Sequence, residues 1–285
     1  MIVLAMLVLS CTPCHKTQVD GHASTPMART MQKPAAPDLR FQSGDLTYRL
    51  SGINYSVSNG QESLSAKLAW TLGVGITGQT YLFERDGAWY ESAVSYYPAA
   101  KALDWTPGHA ERTRRNLDEA LGRRLAPAES KKCFGCHSTA GQPGVQCVQC
   151  HEGEAHPPAK LSKLGPEDLN GLCSKCHPSW AEISESGPRG IGNVRHQVYR
   201  LTASKCYDTN DRRIACTACH DPHSSAAKPA AFFDARCGAC HTACRAGNKG
   251  DCMSCHMPKI EPPGLHARFT DHRIRIVRPG EKYPD

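Results

Sequence analysis

Pairs of cysteines, each followed at once by a histidine, are the residues of this chain best suited to chemistry. Six Cys-x-x-Cys-His motifs lie between residues 133 and 256, and a seventh occupies residues 11–15. Two thiols about one helical turn apart can add to the two vinyl groups of one porphyrin, and the adjacent histidine is then aimed at the iron. The spacing therefore predicts seven covalently bound c-type haems.

Each motif supplies two cysteines for attachment and one histidine for the iron. The cysteines predicted to bind the porphyrins are Cys11, Cys14, Cys133, Cys136, Cys147, Cys150, Cys173, Cys176, Cys216, Cys219, Cys237, Cys240, Cys252 and Cys255. The motif histidines predicted to bind iron are His15, His137, His151, His177, His220, His241 and His256. Zinc sites and a disulfide framework also use paired cysteines. Neither requires a histidine after every second cysteine, so we favour haem.

The histidines outside the motifs are also seven in number. This equality favours a second, distal histidine on each iron. The candidate distal ligands are His22, His109, His156, His196, His223, His266 and His272. For the first haem, Met27 is an alternative distal ligand to His22. The chain must pass round the porphyrin edge to reach the distal side, and the longer segment from His15 to Met27 leaves room for a turn.

Two cysteines, Cys206 and Cys244, lie outside the motifs. Cytochrome c maturation takes place outside the cytoplasmic membrane, where conditions are oxidising, so we expect these two to form a disulfide. Such a link would stabilise the fold by restricting the unfolded chain.

The formal net charge of the chain is +7. A ferric haem with two ionised propionates carries about −1, so the holoprotein should be near neutral. The basic composition is therefore no argument for nucleic-acid binding. The apolar content is low for a self-sufficient core, and we expect the haem-bearing part to fold only with its cofactor.

Residues 1–10 (MIVLAMLVLS) are almost uniformly apolar. The stretch is too short for a membrane-spanning helix and resembles the apolar part of a secretion signal, although no Lys or Arg precedes it. Residues 8–11 (VLSC) also resemble a lipoprotein cleavage site, which would anchor the chain to a membrane through a lipid on Cys11. That use of Cys11 competes with haem attachment, which we favour, and both predict export to the periplasm or the cell surface.

The expected fold is α+β with little regular structure. Leu46, Tyr48 and Leu50 alternate with polar residues as in a half-buried strand, and Asn59-Gly60 and Asp86-Gly87 indicate hairpin turns. Helices are predicted over three segments. Residues 110–125 carry Leu117, Leu121 and Leu125 on one face, residues 166–176 begin with a proline and acidic residues, and the third segment is 193–206. Gly73, Gly75 and Gly78 are spaced as in a nucleotide-binding loop, but strand residues follow them, so we expect no nucleotide.

The predicted division of the chain has five parts. They are an N-terminal segment with the first haem motif (1–35), a small antiparallel β domain (36–109), a linker helix (110–130), a mostly helical and looped cluster of six haems (131–260) and a tail that donates ligands (261–285).

Several motifs together resemble those of the periplasmic multihaem c-type cytochromes that often carry tetratricopeptide repeats. The matching features are Thr25-Pro26-Met27 after the first motif, residues 78–82 (GQTYL), Trp105 with Pro107-Gly108, His156, His196 ahead of residues 204–207 (SKCY), CTACHDPH (216–223), CMSCHMPK (252–259) and residues 269–272 (FTDH). The resemblance covers nearly the whole chain. It implies c-type haem and a ligand at Met27.

These features predict an exported heptahaem protein that transfers electrons along closely packed haems to and from redox partner proteins. One alternative is an oxidoreductase that acts on a small nitrogen or sulfur compound at an open haem. The other is a filament subunit that stacks haems between copies of itself.

Overall fold

The computed structural model describes residues 2–151, 164–178, 180–211, 213–242, 244, 250–278 and 280–284. The chain forms two compact units. The sheet unit consists of Pro26–Gln146 and Pro263–Ala267, and the motif unit consists of Met1–Thr25, Cys147–Pro262 and Arg268–Asp285. Strands dominate the first and short helices the second, so the α+β class is confirmed. The five-part division of the sequence stays a prediction.

The sheet unit is built on one antiparallel sheet in the order β10-β7-β6-β5-β4-β3-β2, with β1 paired to β5. Its strands are β1 (Met31–Gln32), β2 (Ala36–Ser43), β3 (Leu46–Gly52), β4 (Asn54–Ser58), β5 (Ser63–Leu72), β6 (Thr80–Arg85), β7 (Ala88–Ser92) and β10 (Gly122–Arg124). Two short hairpins complete the unit: β8 (Val94–Tyr97) with β9 (Ala102–Trp105), and β11 (Ser138–Thr139) with β12 (Gln142–Pro143).

Alternation along the strands buries one face of this sheet. Tyr48 and Leu50 on β3 are fully buried while Arg49 between them is exposed, as the sequence predicted. The β6–β7 hairpin turns at Asp86 and Gly87, which both have positive φ (51° and 69°), as its tight turn requires. The predicted antiparallel β domain is therefore confirmed.

The helix predicted over residues 110–125 is wrong in extent. Only α2 (Leu117–Leu121) is helical, with Asn116 as its N-cap, and the next residues form strand β10 against β7. Arg114 lies over the Trp105 ring (3.8 Å) and donates to the His109 carbonyl, which holds the preceding residues in a loop. Tertiary contacts thus override the helical periodicity. Pro127 begins the next helix, α3 (Pro127–His137).

The motif unit contains one long helix, α1 (Ile2–Ala23), and shorter helices joined by turns. The shorter helices are α4 (Pro166–Ser174), α5 (Trp180–Ser186), α6 (Gln197–Thr202), α7 (Cys216–Cys219), α8 (Ala230–Gly238) and α9 (Cys252–His256), with a small hairpin of β13 (Lys259–Ile260) and β14 (Phe269–Thr270). The helix predicted over 166–176 is confirmed as α4. The one predicted over 193–206 is shorter, because a 3-10 turn, Gly190–Arg195, precedes α6 and the chain bends at His196 (φ −100°, ψ 81°).

Helix α1 carries the apolar N-terminal residues and the first motif. Its helical path is interrupted at His15 (φ −120°, ψ 34°), two residues after Pro13. No helix within the described ranges is long and apolar enough to cross a membrane.

The predicted disulfide between Cys206 and Cys244 is not present, since both residues carry free thiols. Cys244 is exposed. Burial raises the pKa of the Cys206 thiol, and the neighbouring Cys237 and Cys240 raise it further. Cys206 therefore lies beside the motif at 237–241.

Candidate haem-binding sites

The Cys-x-x-Cys-His motifs from residue 133 onward adopt a common local structure. CFGCH ends helix α3 and CMSCH forms helix α9. In the four motifs between them, the histidine N–H donates to the carbonyl of the first cysteine at 2.9 Å. This helical turn places both cysteines and the histidine on one side of the backbone, as attachment of one porphyrin requires.

The motifs are divided unequally between the two units. CFGCH (133–137) belongs to the sheet unit, and the other six belong to the motif unit. The motif at 11–15 is thus grouped with those from residue 147 onward, although the whole sheet unit separates them along the chain.

Within the motif unit, cysteines of different motifs lie close enough to shift one another's pKa. Burial raises the pKa of Cys147, and Cys11 raises it further. Burial likewise raises the pKa of Cys150, with Cys173 adding to the shift. A hydrogen bond joins the side chains of Cys216 and Cys173. It lowers the pKa of Cys173 and raises that of Cys216.

The same contacts continue towards the C-terminus. Burial raises the pKa of Cys219, and Cys237 adds to the shift. Asp234 on α8 then bridges the last two motifs, because its carboxylate accepts hydrogen bonds from the backbone N–H groups of Cys252 (2.8 Å) and Asp251 (2.7 Å). Six motifs therefore form a row, in the order 11–15, 147–151, 173–177, 216–220, 237–241 and 252–256.

Burial keeps several candidate ligands in the neutral form that binds metal. Desolvation lowers the pKa of His137, His151 and His220. It lowers the pKa of His196 and His272 to about 4. These imidazoles are therefore unprotonated at neutral pH, with a lone pair available to iron.

Among the described histidines, three have one ring nitrogen tied by a hydrogen bond to a backbone carbonyl oxygen. Nδ1 of His137 donates to the Thr30 carbonyl (3.1 Å) and also lies 2.7 Å from the Thr30 hydroxyl. Nδ1 of His256 donates to the Arg275 carbonyl (2.9 Å), and Nδ1 of His272 donates to the Thr270 carbonyl (2.9 Å). A proton fixed on Nδ1 leaves Nε2 as the ligating atom and sets the ring orientation.

His196 provides a direct test of whether the residues fit a bound metal. Its Nε2 is buried and has no hydrogen-bond partner among the described residues. An unpaired buried polar atom costs free energy, and binding iron would satisfy it. Together with the tied Nδ1 atoms and the helical motif turns, this shows that the residues present fit c-type haem.

Two distal candidates lie beside motif histidines. The ring centroids of His151 and His223 are 6.0 Å apart, with planes 16° from parallel. Those of His220 and His272 are 6.1 Å apart, with planes at 31°. The backbone of Gly21 on α1 also closely approaches His223, because a Cβ on Gly21 would lie 2.3 Å from the His223 carbonyl oxygen. His15 and His22 on the same helix contribute to the lowered pKa of His151.

A buried ion pair holds the C-terminal tail that carries His272. The guanidinium of Arg200 on α6 donates to both carboxylate oxygens of Asp271 (2.9 and 3.0 Å), and both side chains are fully buried. Ser204 adds two bonds to the same segment, donating to the His272 carbonyl and accepting from Ile274 N–H. The tail is thereby fixed against α6.

Four other predicted ligands are placed differently. Nε2 of His109 lies 3.0 Å from Glu91, and Nε2 of His266 lies 2.5 Å from Asp104, both within the sheet unit. Met27 also belongs to the sheet unit, whereas the motif at 11–15 belongs to the motif unit. His156 lies outside the described residues. The roles of these four as ligands stay predictions.

Sequence reasoning missed the residues that position the ligands. These are Thr30, Asn170, Asp234, Arg200 and Asp271, of which Asn170 accepts hydrogen bonds from the backbone N–H (3.1 Å) and thiol (2.9 Å) of Cys216. Only Asp271 had a signal, since it belongs to the FTDH segment.

Comparison with known protein families supports haem chemistry at these sites. Residues 140–242 match the family described as cytochrome c3, and this range contains four of the seven motifs. The match supports a multihaem c-type cytochrome that takes part in electron transfer and uses c-type haem. Searches among curated proteins and among solved structures gave no match.

Proposed function

We propose that this protein is an exported heptahaem c-type cytochrome that carries electrons along a row of neighbouring haem sites. The observation that carries the proposal is that cysteines of successive motifs lie near one another. The side chains of Cys173 and Cys216 are hydrogen-bonded, as are those of Cys237 and Cys252, and Cys11 is near enough to Cys147 to raise its pKa. Electron transfer between cofactors slows steeply with distance, so sites whose attachment residues lie near one another are suited to rapid transfer.

The protein's own residues have three tasks in this function. The motif cysteines attach each porphyrin, and the tied histidines such as His137 and His256 present Nε2 in a fixed orientation. Desolvation of His196 and His272 lowers their pKa to about 4 and so keeps both imidazoles neutral. Haem, when bound, supplies the one-electron chemistry of iron, and the surrounding protein sets its potential.

Export follows from the attachment chemistry, since cytochrome c maturation takes place outside the cytoplasmic membrane. The apolar residues 1–10 agree with a secretion signal. The partners of such a carrier are redox proteins that deliver and accept electrons.

The haem count is tested on the matured, exported protein. We expect seven haems per chain by pyridine haemochrome and by intact mass. Six haems with a lipid on Cys11 would favour the lipoprotein alternative, and a chain with metal but no haem would refute the proposal.

The row itself is tested by removing one site from its middle. Replacement of Cys216 and Cys219 by Ala should leave six haems and slow the equilibration of electrons between haems after rapid mixing with a reductant. The matched control replaces Cys133 and Cys136, which also leaves six haems but removes a site in the other unit. Equal slowing in the two variants would contradict the proposed row.

A further inference from the structure

Two pairs of histidine rings have the separation expected of ligands on opposite sides of one metal atom. A metal–imidazole bond is about 2 Å long, so two such rings across one metal have centroids roughly 6 Å apart. The observed separations are 6.0 Å for His151 with His223 and 6.1 Å for His220 with His272. In each pair one ring belongs to a motif and the other does not.

We propose that His223 is the distal ligand of the haem attached at 147–151, and that His272 is the distal ligand of the haem attached at 216–220. This pairing rests on the proposed covalent attachment of haem. Sequence alone gave both residues as candidates but could not assign either to a site.

The backbone contacts of His272 support its assignment. Its Nδ1 donates to the Thr270 carbonyl, so Nε2 is the nitrogen that remains for a metal. The Arg200–Asp271 pair and the bonds from Ser204 hold the residues on both sides of His272 in place. A ligand fixed in this way is preorganised and pays little entropy on binding.

His223 is held by different contacts. Nδ1 lies 3.5 Å from the Asp221 carboxylate, and the His223 N–H donates to the same carboxylate at 2.9 Å. On the other side, Gly21 permits the close approach of helix α1 to the His223 carbonyl. These contacts fix the loop that follows CTACH, with its ring next to His151.

The pairing has a consequence for the CTACHDPH segment. His220 would bind the haem attached to its own motif, and His223 would bind the haem of the motif at 147–151. Two ligands three residues apart would then serve two different irons. Residues 216–223 would then supply ligands to the haem sites at 147–151 and 216–220, which are not neighbours in the row of motifs.

The test uses a crossed set of variants of the matured protein, with high-spin ferric haem measured by EPR. His223→Ala should add one high-spin haem to the full protein. It should add none when Cys147 and Cys150 are replaced by Ala, because the affected haem is absent. It should still add one when Cys216 and Cys219 are replaced instead. His272→Ala should add no high-spin haem when Cys216 and Cys219 are replaced, and should still add one when Cys147 and Cys150 are replaced.

Haem content measured on the same samples separates the two proposals. Absence of haem from the protein without substitutions would refute the proposed function. Seven haems in that protein, with one added high-spin haem in both six-haem backgrounds, would refute only the pairing. If the cysteine variants fail to mature, an experimental structure of the holoprotein decides. An iron–Nε2 distance of about 2 Å in both assigned pairs supports the pairing, and a different histidine at either iron overturns it.

Discussion

Removal of the Asp271 carboxylate should release the tail that carries His272. Asp271 is fully buried and accepts hydrogen bonds from Arg200 Nε and Nη2, from Arg275 Nη1 (2.7 Å) and from Arg273 N–H (3.0 Å). Arg200 also donates to Asn193 and to the Pro284 carbonyl, so its guanidinium is held from several sides. Asp271→Ala would leave this buried positive charge without its anion.

The cost of that change is large. Breaking a buried ion pair by removing one partner costs about 3–5 kcal/mol, because the remaining charge stays desolvated. With an m-value of about 3 kcal/mol per molar urea, the unfolding midpoint should fall by about 1–1.7 M. Replacing both residues, Arg200→Met with Asp271→Leu, should recover part of the loss, because no unpaired charge remains at Arg200.

Two readouts test this reasoning on the matured protein: urea unfolding followed by far-UV circular dichroism, and the fraction of high-spin haem. We expect Asp271→Ala to lower the midpoint and to raise the high-spin fraction by up to one haem, as His272 leaves its site. The matched control is Asp211→Ala, which removes a partly exposed carboxylate paired with the exposed Arg213 at 2.7 Å and should change both readouts far less. An unchanged midpoint, or a lower midpoint with every haem still low-spin, would refute a positioning role for this ion pair.

Two further changes test other parts of the structure. His196→Ala should convert one haem to high-spin with the haem count unchanged, because it removes a buried Nε2 that has no partner among the described residues. An unchanged EPR spectrum would show that this atom does not bind iron. Glu129→Gln should destabilise helix α3 by roughly 0.2–1 kcal/mol at neutral pH, because Gln can keep the bond from Ala126 N–H (2.8 Å) but loses the ion pair with Arg123. These bonds lower the pKa of Glu129, so its contribution exists above the ordinary Glu pKa and is lost as the pH falls through the lowered value. The melting temperatures of the two proteins should therefore converge in acid, and a constant difference across pH would contradict this.

The sequence predicted local structure wherever a short pattern determines it. Alternation in β3 and the Asp86-Gly87 turn were sufficient for the sheet, because strand and hairpin preferences act over a few residues. The motif turns were similarly accessible, since the histidine N–H bonds within its own motif.

Long-range contacts explain where prediction failed. The apolar periodicity of residues 110–125 was compatible with a helix, but Arg114 packs on Trp105 and residues 122–124 pair with β7. The disulfide was inferred from compartment and from leftover cysteines alone. That argument cannot detect that Cys206 lies near Cys237 and Cys240 of the motif at 237–241, which raise its pKa.

Counting histidines has the same weakness. The seven histidines outside the motifs equal the predicted haems in number, yet Nε2 of His109 and Nε2 of His266 lie at the carboxylates of Glu91 and Asp104. His223 and His272, in contrast, have rings next to motif histidines. A count gives no information about which carboxylate or which ring lies within reach.

The order of the motifs in space is the property that the sequence could least supply. Residues 26–146 of the sheet unit separate the motif at 11–15 from the motif at 147–151 along the chain, so the nearness of Cys11 to Cys147 depends on how the chain returns. From residue 147 onward the row follows chain order. If His223 binds the haem at 147–151, the segment that follows the motif at 216–220 also contacts the haem at 147–151, which is not its neighbour in the row. Electrons could then pass between those two sites without the site at 173–177, so removing that site alone should slow transfer less than removing the one at 216–220.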